Sequence, residues 1–216
     1  MKIGIDMGHT LSGAGTGAIG YVKETDRNRD VGRRLIQMLE SNGHEIVNCT
    51  VDKSSNDLRD RAAKANAQKL DIFVSLHLNA YKKTNSEMGV ETFSYPGSSV
   101  SKGYAVKVQN ALVSKVGWRN RGAKEANFYV LRETSCPAIL VELGFCDSKG
   151  DLNKWDTEKI CSAIFLGLTG KEYVQPKKKA AYRVVCGSYA EIENAKKQVS
   201  ELEKLGLKPF IVAIED

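Results

Sequence analysis

Two of the three histidines, His9 and His77, follow short apolar runs of strand type, Lys2 to Asp6 and Asp71 to Leu76, whereas His44 sits in an Asn42-Gly43-His44 turn. Imidazoles at the ends of neighbouring strands can share a metal, although a lone histidine is more often structural. Two carboxylates could join them. Glu142 closes the run Ala138-Ile139-Leu140-Val141 and precedes Leu143-Gly144-Phe145, where a carboxylate is costly to bury unless it is paired or functional. Glu24 opens a helical pattern after a glycine-rich loop, where the helix dipole alone would favour an acid. A zinc hydrolase needs three side-chain ligands, an open position for water and a carboxylate to take that water's proton. The residue types are present, and spacing alone leaves the structural alternative open.

The elements that must position these residues are legible as an alternation. Lys2 to Asp6 reads as a strand, Gly13 to Gly20 as a loop, and a helix begins near Glu24 with Val31, Leu35 and Leu39 four residues apart, stopping at Asn42-Gly43. Strands are predicted at Glu45 to Cys49, Asp71 to Leu76, Gly89 to Tyr95 and Ala138 to Val141, and helices at Asp57 to Lys69, Ser101 to Val116 and Thr157 to Leu168. This order implies an α/β fold, a largely parallel twisted sheet with helices on both faces, with sites at the carboxyl ends of its strands. The expected division is a catalytic domain over 1–170, a solvated linker over 171–180 and a small β-α-β module over 181–216. In that module a helix striped by Ile192, Ala195, Val199, Leu202 and Leu205 lies between strands at Tyr182 to Cys186 and Phe210 to Ile214.

Composition excludes several classes. In 216 residues, 32 basic side chains against 26 acidic give a net charge of +6, and 42% of residues are hydrophobic, the balance of a folded globular chain. The positive charge is diffuse and lacks the aromatic-plus-basic interleaving of a single-strand binder, so no nucleic-acid partner is expected. No apolar run approaches the roughly 18 residues of a membrane span. Asp6 interrupts the N-terminal apolar stretch too early for a secretory signal, so synthesis in the cytoplasm without a signal peptide is expected. The five cysteines lack the C-x-x-C spacing of a structural zinc site or redox pair and mostly lie in apolar runs, as buried small hydrophobes in a reducing compartment would.

Taken together, Asp6-Met7-Gly8-His9, Glu24, Ser75-Leu76-His77-Leu78-Asn79-Ala80 and Pro137 to Phe145 resemble the zinc-dependent N-acetylmuramoyl-L-alanine amidases of the amidase-3 type. Supporting segments are Leu58 to Asn66 with Arg61, Asn120 to Lys124, and Tyr129 to Arg132; the resemblance covers roughly residues 2 to 170. It implies a Zn2+ ion held by His9, Glu24 and His77, with Glu142 as the catalytic carboxylate. Asn79 and Arg121 become candidate substrate contacts, with a strand-end cap and a surface ion pair as their alternatives. Thr10 stands where the family often has a second glycine, and Cys146-Asp147-Ser148 where it often has Leu-Ser-Asn, which bears on loop shape rather than on the ligands.

The implied substrate and partner is bacterial peptidoglycan, cut between N-acetylmuramic acid and L-alanine. With no secretory signal, the chain resembles a phage or prophage endolysin, made in the host cytoplasm and acting on the cell wall after release. The alternatives are a zinc peptidase cutting within the stem peptide and a non-catalytic wall-binding protein. From Tyr182 to Phe210 the tail resembles the first half of a sporulation-related repeat (SPOR) domain, a glycan-strand binder, at about half the usual length. The resemblance implies wall binding; two strands and a helix bury too little alone, so the tail is expected to pair with a copy from another chain, making a homodimer, or to dock on the catalytic domain.

Overall fold

In a computed structural model, which describes residues 1–13, 15–175 and 185–213, the elements follow one another as β1 (Lys2–Met7), β2 (Ser12–Gly13), α1 (Glu24–Ser41), β3 (Glu45–Asn48), β4 (Lys53–Ser54), α2 (Asp57–Asn66), β5 (Ile72–Asn79), β6 (Val90–Ser94), α3 (Ser99–Val116), β7 (Asn120–Glu125), α4 (Tyr129–Arg132), β8 (Ala138–Phe145), α5 (Lys149–Leu152), α6 (Thr157–Thr169) and α7 (Ile192–Lys204). The main sheet has the order β3-β1-β5-β8-β6-β7, and every neighbouring pair is parallel except β6 with β8. The expected α/β fold with a largely parallel sheet is therefore the observed one. β2 and β4 form a separate two-stranded ladder.

Strand alternation divides the core. Ile72, Val74, Leu76 and Leu78 of β5 and Ile139, Val141 and Leu143 of β8 enter the larger cluster with Val31 and Leu35 of α1, Val108 and Leu112 of α3, and Ile164 and Phe165 of α6. The residues between them, Phe73, Ala138 and Leu140, join a smaller cluster with Ala65 of α2 and Val130 and Leu131 of α4. Helices thus cover both faces, as a parallel sheet buried on both sides requires. By the same parity His77 and Glu142 belong to the face with the smaller cluster, and their strands pair them directly, His77 opposite Glu142.

One local expectation changes, and two elements join those that were expected. β5 continues two residues past His77, and β8 continues through Phe145, so Glu142 is the fifth of eight strand residues rather than the residue that follows the strand. The polar segment Asn120–Glu125 is an edge strand whose alternation is hidden by charged side chains at exposed and half-buried positions. The short helix α4 occupies the segment ending in Tyr129 to Arg132, which carries no helical stripe long enough to read.

The chain divides into two compact units, Met1–Pro176 and Lys177–Asp216. In the first, Tyr173 packs against the large core with its ring 5.6 Å from that of Phe165. In the second, helix α7 forms where its apolar stripe predicts and has no buried residue. The described parts of the two expected flanking strands, Val185 and Cys186 and Phe210 to Ala213, form no strand; Tyr182 to Val184 and Ile214 lie outside the described residues. Among the described residues, no helix is long and apolar enough to cross a membrane. Cys49, Cys146 and Cys161 are buried, Cys136 is half-buried and Cys186 is exposed, and all are free thiols.

Candidate metal centre

The parallel strands β1, β5 and β8 deliver their carboxyl ends to one edge of the sheet, and α1 returns to that edge with its first residue, Glu24. The chain leaves β1 through Gly8 and His9. A side-chain carbon on Gly8 would lie 2.3 Å from the His77 ring, and one on Gly17, which has φ +75°, would lie 2.9 Å from the His9 ring and 3.0 Å from a Glu24 oxygen. These two glycines let the loops close over the side chains.

Glu24 is the hub of the cluster. Its Oε1 lies 3.0 Å from His9 Nε2 and 3.1 Å from His77 Nδ1 and accepts the Leu78 backbone N–H at 3.1 Å, while Oε2 accepts the Ala18 N–H at 2.9 Å. The ligand atoms of His9, Glu24 and His77 all lie within 4.8 Å of one another. His9 Nδ1 faces the Gly15 carbonyl at 3.0 Å, a partner that can only accept, so the proton belongs on Nδ1 and the Nε2 lone pair turns toward Glu24. Lone pairs from separate elements therefore converge where a cation would relieve their repulsion, which is the donor chemistry of a zinc site.

Protonating an imidazole turns that repulsion into attraction, and the titration directions report the attraction. Burial alone would raise Glu24, but hydrogen bonds and charge from His77 and His9 hold it far below the ordinary carboxylate range. Burial alone would lower His9, and Glu24 overrides it, so His9 is raised. Glu142 moves the other way. Burial first, then the charges of Glu24 and Glu91, push it up to about 8, and its Oε2 is buried with no hydrogen-bond partner among the described residues. A buried carboxylate oxygen left unpaired beside three convergent ligand atoms is rare in a folded chain and marks Glu142 as a candidate functional group.

Asn79 and Arg121 meet at a carboxylate that sequence reasoning missed. Glu91 of β6, opposite Glu142 in the ladder, accepts Asn79 Nδ2 at 2.6 Å through Oε1, while Arg121 Nε lies 3.2 Å from its Oε2 and Lys124 pairs with the same oxygen. Burial would raise Glu91, but Lys124 and Arg121 outweigh it, so its pKa falls. The signal available was an acid on the strand Val90–Ser94, whose other described residues are apolar or small. Arg61, fully buried, pairs with Asp57 at 3.1 Å and lies 3.6 Å from Asp6, whose other oxygen accepts the Ser75 hydroxyl at 2.7 Å. His44 is not part of the cluster; its ring stacks edge-on against Phe165 at 6.0 Å.

Comparison with known proteins bears on this arrangement directly: residues 3–169 match the amidase-3 family model, described as N-acetylmuramoyl-L-alanine amidase. The chain belongs to this amidase family. The amidase-family chain is similar to the sporulation-specific N-acetylmuramoyl-L-alanine amidase of Bacillus subtilis strain 168, 31% identical over 222 residues that take in 98% of this chain and 84% of that protein. It is 38% identical over 154 residues to the endolysin of Bacillus phage SPP1, covering 68% of this chain and little more than half, 55%, of that protein. Among solved structures it resembles the catalytic domain of the CD27L endolysin targeting Clostridia difficile, with a TM-score of 0.71 and 30% identity over 80% of this chain and 98% of that one.

Proposed function

We propose that this chain hydrolyses the amide bond between N-acetylmuramic acid and L-alanine in bacterial peptidoglycan, as an endolysin-like enzyme that uses Zn2+. The observation that carries the reading is the convergence of His9, Glu24 and His77 within 4.8 Å beside the unpartnered Oε2 of Glu142, in a chain of the amidase family. His9, Glu24 and His77 would hold the metal, whose bound state supplies Lewis acidity toward a carbonyl oxygen and acidity to water.

The remaining work falls to Glu142. Water oxygen bonds to the lactyl carbonyl carbon, its proton passes to Glu142 Oε2, and Glu142 returns that proton to the alanine nitrogen as the carbon–nitrogen bond breaks. The products are a free lactyl carboxyl group and a peptide with an amino terminus. An amine leaves poorly without that proton, so a carboxylate that exchanges protons near neutrality suits the task. Burial of Glu142 tunes it in this direction. Asn79 and Arg121, at the rim of the same edge, are proposed to meet the substrate while anchored on Glu91.

The tail is proposed to serve wall binding or self-association. Two observations support it: the alignment with the sporulation amidase takes in 98% of the chain, and Ile192 and Leu205 of the apolar stripe stand 56% and 76% exposed.

Digestion of purified cell walls by the full chain, with and without a zinc chelator and beside Glu142→Gln, tests the reading. Peptides beginning with L-alanine and peptide-free glycan are expected by mass spectrometry, with Glu142→Gln slower by roughly 10²–10⁴-fold. Cuts inside the stem peptide would make the chain a peptidase, and a wall left whole would leave it a binding protein.

A further inference from the structure

Helix α1 carries four arginines, and Arg29 is only 4% exposed. Its Nη1 donates to the carbonyls of Met7 at 2.8 Å and Gly8 at 2.7 Å, and its Nη2 donates to the carbonyl of His9 at 2.6 Å and to Asp52 Oδ1 at 2.7 Å. Asn28, its neighbour on the helix, adds a bond from Nδ2 to the Gly8 carbonyl at 3.3 Å. Three consecutive carbonyls can turn to one guanidinium because the backbone reverses hand here. His9 has φ +65°, the sole positive value at a non-glycine position among the described residues. A side chain in the left-handed region is held there by its surroundings, not by its own preference.

We propose that Arg29 is a positioning residue of the metal centre, holding the His9 backbone in the left-handed conformation from which Nε2 faces Glu24 and His77. The inference rests on the metal reading given above. It makes α1 a single rigid part that supplies one ligand directly, Glu24 at its first residue, and fixes a second, His9, through the backbone. Asp52, on the far side of the guanidinium and 62% exposed, aims the fork from outside. Lysine cannot replace it, because one ammonium cannot span three carbonyls and a carboxylate in a plane.

The test uses the full chain and the variants Arg29→Lys and Asp52→Ala, with three readouts: zinc affinity by competition with a chromophoric chelator, the visible absorption of the Co2+-loaded protein, and urea unfolding of the metal-free protein. Arg29→Lys is expected to lose about 10–100-fold in zinc affinity and to change the Co2+ spectrum. Asp52→Ala is expected to lose about 3–10-fold, with a metal-free unfolding midpoint equal to that of the parent. Affinities and spectra indistinguishable from the parent's would overturn the assignment, and if Arg29→Lys fails to fold, Asp52→Ala alone decides it. A parent chain that takes up neither metal would overturn the metal reading and this inference with it, an outcome distinct from variants that bind as well as the parent.

Discussion

Two helices of thirteen residues meet opposite fates in this chain. α6 buries seven of its residues, among them Ile160, Ile164, Phe165 and Leu168, and is closed by Asp156, whose side chain accepts the Lys159 N–H, and by a left-handed Gly170. α7 carries a sharper apolar stripe, has no side-chain cap at Glu191, and buries nothing. Periodicity says that a helix can form and which face it would cover, while stability comes from the surface that meets that face. Hydrogen exchange breaks or sharpens this contrast most strongly. Amides of α6 should open only with global unfolding and those of α7 by local fraying, so protection in α6 should exceed that in α7 by about 10⁴-fold or more. Equal protection would mean that α7 finds a partner surface, and a sedimentation mass of two chains would say which.

The contrast extends to single side chains. Asp151, 1% exposed, accepts the N–H groups of Met88 and Gly89 at 2.9 Å through Oδ1 and that of Phe145 at 2.9 Å through Oδ2, tying the end of β8 to the start of β6. Asp151→Ala strands two buried donors and one partly buried one, and urea unfolding should show a loss of roughly 3 kcal/mol. Leu202→Ala, on the stripe of α7, should stay within about 0.5 kcal/mol of the parent. A tail substitution that costs as much as Asp151→Ala would erase the distinction between the two units.

Much of the first unit could be read from its residues because its signals are redundant. Apolar runs at Ile3-Gly4-Ile5 and Ile72 to Leu76, the four-residue repeat from Val31 to Leu39 and the punctuation at Asn42-Gly43 each point to the same alternation, and together they put His9, His77 and Glu142 on one edge. What stayed hidden depended on partners distant in sequence. Glu142 read as the end of its strand because an acid inside an apolar run is rarely tolerated; the residues that flank it in space come from β5 and β6. Arg29 and Asn28 share the helix face of Val31, Gly32 and Leu35, which marks them as polar groups turned inward, but nothing local reveals that their acceptors are the carbonyls after β1. Tail strands were predicted from Tyr182 to Cys186 and from Phe210 to Ile214 on composition; Tyr182 to Val184 and Ile214 lie outside the described residues, and the parts that are described, two and four residues long, are too short to carry the alternation that identifies a strand.

Charge gives the smallest and most discriminating contrast. Glu91, 4% exposed, is held below the usual carboxylate range because Lys124 and Arg121 outweigh the effect of burial. The folded state therefore releases this proton at a lower pH than the unfolded chain does. Between the two pKa values the unfolded chain binds more protons, so the contribution of Glu91 is full above the ordinary glutamate value and is lost as pH falls through the folded one. Glu91→Gln should cost roughly 1–2 kcal/mol at neutral pH, by leaving Lys124 and Arg121 without their carboxylate, and the gap to the parent should close as the pH drops. In the tail, Glu193 and Glu201 pair with Lys196 and Lys204 at 2.7 and 2.6 Å, but with both partners in each pair more than half exposed. Screening by water leaves such pairs worth little, so Glu193→Gln with Glu201→Gln should leave the acid limb of the unfolding curve unchanged. If the tail variants flatten that limb and Glu91→Gln does not, the buried network beside the His9–Glu24–His77 cluster is not what couples this fold to pH.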